Sequence, residues 1–235
     1  MDGHLKTLIA LQALDTRIGG LEAEAAKLPK DIEAVRARTA EAKKQVDGAK
    51  ASLDAARKDT RAKEKDLEDN QVKRQKFEGQ LYQVKTNKEY SAVLTEIEEV
   101  KQQKSRIEEE ILTLMERQER LAGEIKDAEG QLKTAEAEGA TAEKSLRERL
   151  AAVQAELSGV KGERASASRD LPANLLADYD RLLRARAGLA IVPVLKPNLC
   201  EACRMTVTPQ RLQELRARNA LLACESCGRY LYWQP

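Results

Sequence analysis

Aromatic side chains make up only 3% of this 235-residue chain: one Phe, one Trp and five Tyr. So few cannot fill a large globular core. No apolar run approaches the roughly 18 residues that a membrane-spanning helix needs. Histidine occurs once, as His4, where a solvated side chain is expected. No Gly-rich phosphate-cradling loop of the P-loop kind is present. Carboxylates are abundant, but they fall on charged helix faces and form no acid–base constellation. An enzymatic role is therefore not expected. Neither sign of charge is in excess: 41 Lys and Arg stand against 39 Asp and Glu, a net charge of +2. Any nucleic-acid contact must come from a local patch. The N-terminal stretch is amphipathic and lacks the apolar core and cleavage site of a secretory signal. The expectation is a cytoplasmic protein with reduced thiols.

What is abundant is charge, at 34% of residues, within an Ala-, Glu-, Lys-, Leu- and Arg-rich chain. That composition suits long helices. From Leu11 the apolar residues step by three and four: Leu14, Ile18, Leu21, Ala25, Leu28, Ile32 and Val35, then more weakly through Val46, Ala49, Leu53, Ala56, Leu67, Phe77, Leu81 and Val84. This is a heptad seam. Pro29 predicts a kink or short break near 28–30. A second seam starts at Tyr90 and passes Val93, Ile97, Val100, Ile107, Ile111, Leu114, Leu121, Ile125, Leu132, Leu146 and Val153 toward Leu157. Between them lies a polar break at 85–89, where Thr86 or Asn87 can cap a new helix and Glu89 suits its first turn. Seams of similar length around one break predict an antiparallel hairpin, each helix about 110 Å long at 1.5 Å per residue. Pairing of the helices between chains in a homodimer is the alternative.

The stretch from Ser158 to Arg169 is expected to end the second helix. Pro172 opens a short amphipathic helix bearing Leu175, Leu176, Tyr179, Leu182 and Leu183, which ends near Gly188 and packs on the open end of the hairpin. Residues 189–195 read as a strand or extended link that Pro193 confines to a sheet edge. Thr208-Pro209 starts a small helix, and Leu221–Ala223 and Arg229–Trp233 read as strands. The fold class is mainly α: a long antiparallel coiled-coil hairpin over 1–169, a packing helix over 170–188 and a small zinc ribbon over 189–235.

All four cysteines lie in that last segment, as Cys200-Glu-Ala-Cys203 and Cys224-Glu-Ser-Cys227-Gly228. Two C-x-x-C pairs twenty residues apart match a tetrahedral zinc site. Disulfides and idle thiols are the competing readings, and reduced thiols favour the metal. Four thiolates close the coordination shell, so one Zn2+ would be structural. Gly228 suits the left-handed turn after the second pair, whereas Arg204 holds that place after the first.

The chain resembles the bacterial coiled-coil family with a four-cysteine zinc ribbon, which includes a flagellar regulator of Helicobacter and a chlamydial protein linked to type III secretion. The residues that carry the resemblance are Leu11-Gln-x-Leu14-Asp15-x-x-Ile18, then Val84-Lys-Thr-Asn87-Lys88-Glu89-Tyr90 with Leu94-x-Glu96-Ile97-Glu98. They continue with Tyr179 and Leu182 leading through Gly188 to Val194, and with the four cysteines followed by Gly228-Arg229-Tyr-Leu231-Tyr232. The resemblance implies an elongated, non-enzymatic adaptor. It also implies partners such as sigma-54 or secretion-apparatus components, and for one relative mRNA bound by basic residues around the ribbon.

Two surfaces are candidates for such partners. In the ribbon, Lys196, Arg204, Arg211, Arg216, Arg218 and Arg229 oppose three acidic side chains, and Tyr232 and Trp233 could stack on bases of RNA or DNA. The competing reading is that the aromatics fill the ribbon core and the arginines are solvated or paired. At the hairpin tip, Lys85, Asn87, Lys88, Glu89 and Tyr90 form a polar turn, with Lys73, Arg74 and Lys76 nearby. Turn chemistry alone is the alternative there. Secondary-channel regulators of RNA polymerase also join a coiled coil to a zinc module, but their tips are acidic, which separates them from this basic one.

Overall fold

The structure is a computed structural model that describes residues 3–218 and 221–233. It comprises α1 (Gly3–Leu81), α2 (Asn87–Ala167), a 3-10 turn (Ser168–Asp170), α3 (Ala173–Ala185), β1 (Ile191–Leu195), β2 (Leu199–Cys200), α4 (Pro209–Arg218), β3 (Leu222–Ala223) and β4 (Tyr230–Trp233). The two long helices form the hairpin, and the chain divides into two units, 34–142 and 1–33 with 143–235.

In the first unit, the α1 and α2 segments pair antiparallel. Thr39 lies beside Ala135, Lys50 beside Glu129, Thr60 beside Gln118, Lys63 beside Glu110 and Asn70 beside Gln103. Buried side chains are few, among them Val46, Ala56, Ile97, Val100 and Leu121. A two-helix layer covers only one stripe of each helix, so most seam residues stay half-exposed. The connection is residues 82–86, and Asn87 is already helical. Thr86 is the cap of α2. Its Oγ1 accepts the Glu89 N–H at 3.2 Å, and the Glu89 carboxylate accepts the Thr86 N–H at 3.2 Å. This reciprocal capping box satisfies two donors that the helix start would otherwise leave open.

In the second unit, Ile18, Leu21, Leu28, Val153 and Val160 form one buried cluster. Here α1 runs on past its expected interruption. Where a kink or break is predicted, α1 passes through Pro29 as one helix. Proline in a helix interior costs about 3 kcal/mol; burial of Leu28 beside it, at about 1.5–3 kcal/mol for such a side chain, works against that cost. As expected, α2 ends within the 158–169 stretch, at Ala167, with Val160 buried in the same cluster. A second cluster joins Leu5, Leu8 and Leu11 of α1 to Tyr179 and Leu182 of α3 and to Ala190 and Ile191.

The sheet order is β2-β1-β4-β3, with β1 and β4 parallel and the outer pairs antiparallel. Contrary to the expectation from Pro193, β1 is an interior strand. The reason is the length of β2, only two residues. The Pro193 carbonyl accepts the Glu201 N–H at 3.2 Å, so the position of its missing N–H also faces the β2 side, beyond the end of that strand. Side chains alternate across the sheet. Ile191, Tyr230 and Tyr232 pack with the α1–α3 cluster, whereas Val192, Val194, Leu231 and Trp233 pack with the cysteines, Val207 and Leu215.

Candidate functional site

The two C-x-x-C segments form nearly matching knuckles. The Arg204 N–H donates to the Cys200 carbonyl at 2.9 Å and the Gly228 N–H to the Cys224 carbonyl at 2.8 Å. The Cys200 N–H donates to Met205 at 3.0 Å, and the Cys224 N–H to Arg229 at 2.8 Å. Both turning residues take positive φ, 59° at Arg204 and 75° at Gly228. Glycine does so freely; arginine carries a steric cost of about 1–2 kcal/mol.

These turns bring all four Sγ atoms within 4.8 Å of one another. Cys200 and Cys227 are 3.9 Å apart, and Cys203 and Cys224 3.7 Å. A tetrahedral zinc with bonds of about 2.3 Å requires S···S separations of about 3.8 Å, whereas a disulfide needs about 2.05 Å. The donor set therefore fits one structural Zn2+ and not two disulfides. Three of the ligands are buried, Cys200 completely. Without a cation, burial pushes the Cys200 thiol up to about 12 and also raises Cys224. Burial acts upward on Cys227 too, but hydrogen bonds from Arg229 prevail and bring it down to about 6. Zinc is what makes the whole set thiolate.

A polar fastening ties the ribbon to the hairpin base. Gln12 Oε1 accepts the N–H groups of Ala190 (2.7 Å) and Ile191 (3.2 Å), and its Nε2 donates to the Gly188 carbonyl at 2.7 Å. One α1 side chain thus satisfies three backbone groups at the entry to β1. One turn later, Asp15 accepts from the Tyr179 hydroxyl at 2.9 Å and from Arg164 Nε at 2.6 Å, and Arg164 also donates to Asp180 at 2.5 Å. Burial opposes the Arg164 charge, yet its bonds to Asp15 and Asp180 raise its pKa. Burial, then the Asp15 charge, raises that of Tyr179. Sequence reasoning placed Gln12 and Asp15 in a motif but assigned them no role, and it missed Arg164 and Asp180. The available signal was polarity at core spacing: Gln12 stands four residues after Leu8, and Asp15 four after Leu11.

The basic ribbon residues divide. The Arg229 guanidinium donates to the carbonyls of Leu189 (2.7 Å) and Arg186 (3.0 Å). Arg211 donates to the Ala223 carbonyl at 2.5 Å and pairs with Glu225 at 2.9 Å. Arg216 is exposed and lies over the Trp233 ring, 4.2 Å from its centroid. Lys196 and Arg204 are exposed. Arg218 ends α4, and its side chain falls outside the described residues. Tyr232 and Trp233 are half-buried on opposite faces of β4.

At the turn between α1 and α2, Lys85, Asn87, Lys88, Glu89 and Tyr90 are all exposed. The Thr86 side chain, with the Thr86 and Lys85 N–H groups, holds the Glu89 carboxyl below its usual range. No helix among the described residues is long and apolar enough to cross a membrane.

No match is found among curated proteins. Solved structures share the fold. CT398 from Chlamydia trachomatis aligns with 22% identity and a TM-score of 0.85 over 98% of this chain and 97% of that one. HP0958 from Helicobacter pylori aligns with 19% identity and a TM-score of 0.67 over 99% and 98%. A Mycobacterium smegmatis protein aligns with 17% identity and a TM-score of 0.71 over 98% and 97%. Residues 199–231 match the C4-type zinc ribbon domain, and residues 11–188 match the CT398-like coiled coil hairpin domain. With that match spanning most of its length, the chain belongs to the CT398-like coiled-coil hairpin family and carries a C4 zinc ribbon at the base of its hairpin.

Proposed function

We propose that the protein is a non-enzymatic cytoplasmic adaptor whose hairpin tip and zinc ribbon engage protein partners in transcription or secretion. The observation that carries this reading is the division of labour among polar side chains. Four thiolates around zinc leave no coordination position for a substrate or water. Gln12 is committed to holding the entry of β1 to α1, Asp15 and Arg164 to holding α3 on the hairpin base, and Arg229 to the connection between α3 and β1. The exposed turn residues have no such duty. Affinity capture from native cells, with and without nuclease, tests the reading. Nuclease-resistant protein partners support it, and sigma-54 and secretion-apparatus proteins are the candidates to probe by name. Comparison with a Cys224→Ser/Cys227→Ser variant then assigns each partner to the ribbon or the hairpin.

Nucleic-acid binding by the ribbon is the second reading, favoured by exposed Lys196 and Arg204 and by Arg216 stacked on Trp233. It predicts RNA or DNA binding that weakens steeply with salt and is lost in Arg216→Ala. Binding that is absent at low salt would dismiss it.

A further inference from the structure

Along the paired helices of residues 34–142, basic side chains have acidic neighbours. Lys50 meets Glu129 at 2.7 Å, Lys63 meets Glu110 at 2.6 Å, and Lys104 meets Glu108 at 3.2 Å. Toward the turn this matching stops. Glu96, Glu98 and Glu99 come next on α2, where Lys101 meets Glu98 at 3.7 Å, but residues 71–95 contain Lys73, Arg74, Lys76, Lys85 and Lys88 with only two acidic residues, Glu78 and Glu89. Both are used locally: Glu78 holds Arg74 at 2.8 Å, and Glu89 accepts the Thr86 and Lys85 N–H groups at 3.2 and 3.3 Å. Among the described residues, Lys73, Lys76, Lys85 and Lys88 form no ion pair, and all four are exposed. The same stretch exposes apolar surface. Tyr82 is 92% accessible, at a turn position where small polar residues or glycine are usual, and Tyr90 and Leu94 are 47% and 44% accessible. Tyr90 and Leu94 are four residues apart on α2 and therefore neighbours on one face.

We infer that this turn docks an acidic, amphipathic segment of a protein partner, whose carboxylates meet Lys73, Lys76, Lys85 and Lys88 while its apolar side chains cover Tyr82, Tyr90 and Leu94. The inference rests on the adaptor reading and specifies the partner chemistry at one of its surfaces. Tyrosine suits such a contact, since it offers a large apolar face and a polar rim at little entropic cost. A protein segment fits better than RNA for two reasons. Leu94 is aliphatic and gives no stacking platform. The unpaired cations are lysines, not the arginine forks that grip phosphate in bidentate fashion, and the one arginine of residues 71–95, Arg74 of α1, is held by Glu78.

The test is site-specific photo-crosslinking in native cells, using the full chain with a photoreactive phenylalanine analogue at Tyr82 and, separately, at Met205 of the ribbon, which is also exposed. Mass spectrometry identifies what each site captures. The expected product at Tyr82 is a protein segment of net negative charge with apolar residues at helical spacing. Its yield should fall at least tenfold when Lys73, Lys76, Lys85 and Lys88 are all changed to Glu, and persist when they are changed to Arg. Unchanged helical circular dichroism in both variants excludes a folding defect. Crosslinks at Tyr82 to RNA, or to neutral or basic segments, overturn the inference, as does a yield indifferent to charge reversal. Protein crosslinks at Met205 alone overturn it and leave the adaptor reading standing. An absence of protein crosslinks at both sites overturns both.

Discussion

The ribbon with its supporting helices and the two-helix segment 34–142 solve the same problem differently. In the ribbon unit, α1, α2, α3 and a sheet meet, so whole side chains such as Leu5, Leu8, Tyr179 and Leu231 disappear from solvent. Polar groups drawn inside are satisfied by designated partners: Gln12 by three backbone groups, Asp15 by Tyr179 and Arg164. In the 34–142 unit, two helices share one seam, and polar residues enter it as layers, with Thr60 against Gln118 at 2.6 Å and Asn70 near Gln103 at 3.5 Å. Asn70 is only 4% accessible, and its Oδ1 has no hydrogen-bond partner among the described residues. The contrast shows where stability and specificity reside. Metal and third-element packing hold the ribbon unit; seam layers set the register of the two-helix unit.

Removing the metal should break the comparison most strongly. Structural zinc contributes on the order of 10–16 kcal/mol to small four-ligand domains. Chelation, or Cys200→Ser, is expected to unfold the ribbon while most helical circular dichroism remains. Trp233, the only tryptophan and a ribbon residue, reports the loss by fluorescence. Concerted loss of the helical signal would show that the two units do not stand separately.

Next in size is the fastening. Asp15→Ala leaves the Tyr179 hydroxyl without its acceptor and Arg164 with Asp180 alone, and a cost of about 2–3 kcal/mol is expected. The midpoint of ribbon unfolding, followed by Trp233 fluorescence in denaturant, should fall accordingly. Asp15→Asn should recover part of the loss. A change below about 1 kcal/mol would demote this network to an ordinary surface ion pair.

In the two-helix unit the sign reverses. Asn70→Leu removes an unsatisfied acceptor and puts an apolar side chain at a buried position, and is expected to stabilise by about 1–2 kcal/mol. The same change should loosen register, since a polar seam residue selects one alignment at a cost in stability. Cysteine pairs placed across Lys50 and Glu129 would then crosslink less uniquely. Higher stability with an unchanged crosslinking pattern would mean that the ion pairs alone keep register.

The smallest effect separates the two knuckles. Arg204→Gly should relieve the positive φ of 59° and stabilise the zinc-bound ribbon by about 1 kcal/mol, read as a raised chelator midpoint. Gly228→Ala should act in the opposite direction by a similar amount.

Much of this architecture was legible beforehand because its signals are local. Heptad spacing marked the hairpin, and the polar run with Thr86 or Asn87 as cap and Glu89 in the first turn marked the start of α2; the structure chose Thr86. The expected break at Pro29 misjudged how burial of Leu28 carries a helix through proline, whereas α2 does stop within the 158–169 stretch expected to end it. The gaps in the first seam after Ala56, filled by Thr60 and then Asn70, looked like weak heptads and are polar layers. Pro193 read as an edge residue because strand order is invisible in a single strand.

Sequence by itself pointed to the zinc ligands, since two C-x-x-C turns are local geometry and reduced thiols at that spacing favour a metal over disulfides. It also determined the helical hairpin, since apolar period is a property of neighbouring residues. Only tertiary structure decided the work of Gln12, Asp15 and Arg229, whose partners lie far away in sequence. The same holds for which lysines stay unmatched: charge is written in the sequence, but pairing depends on which helix faces which, and that arises only when the chain folds.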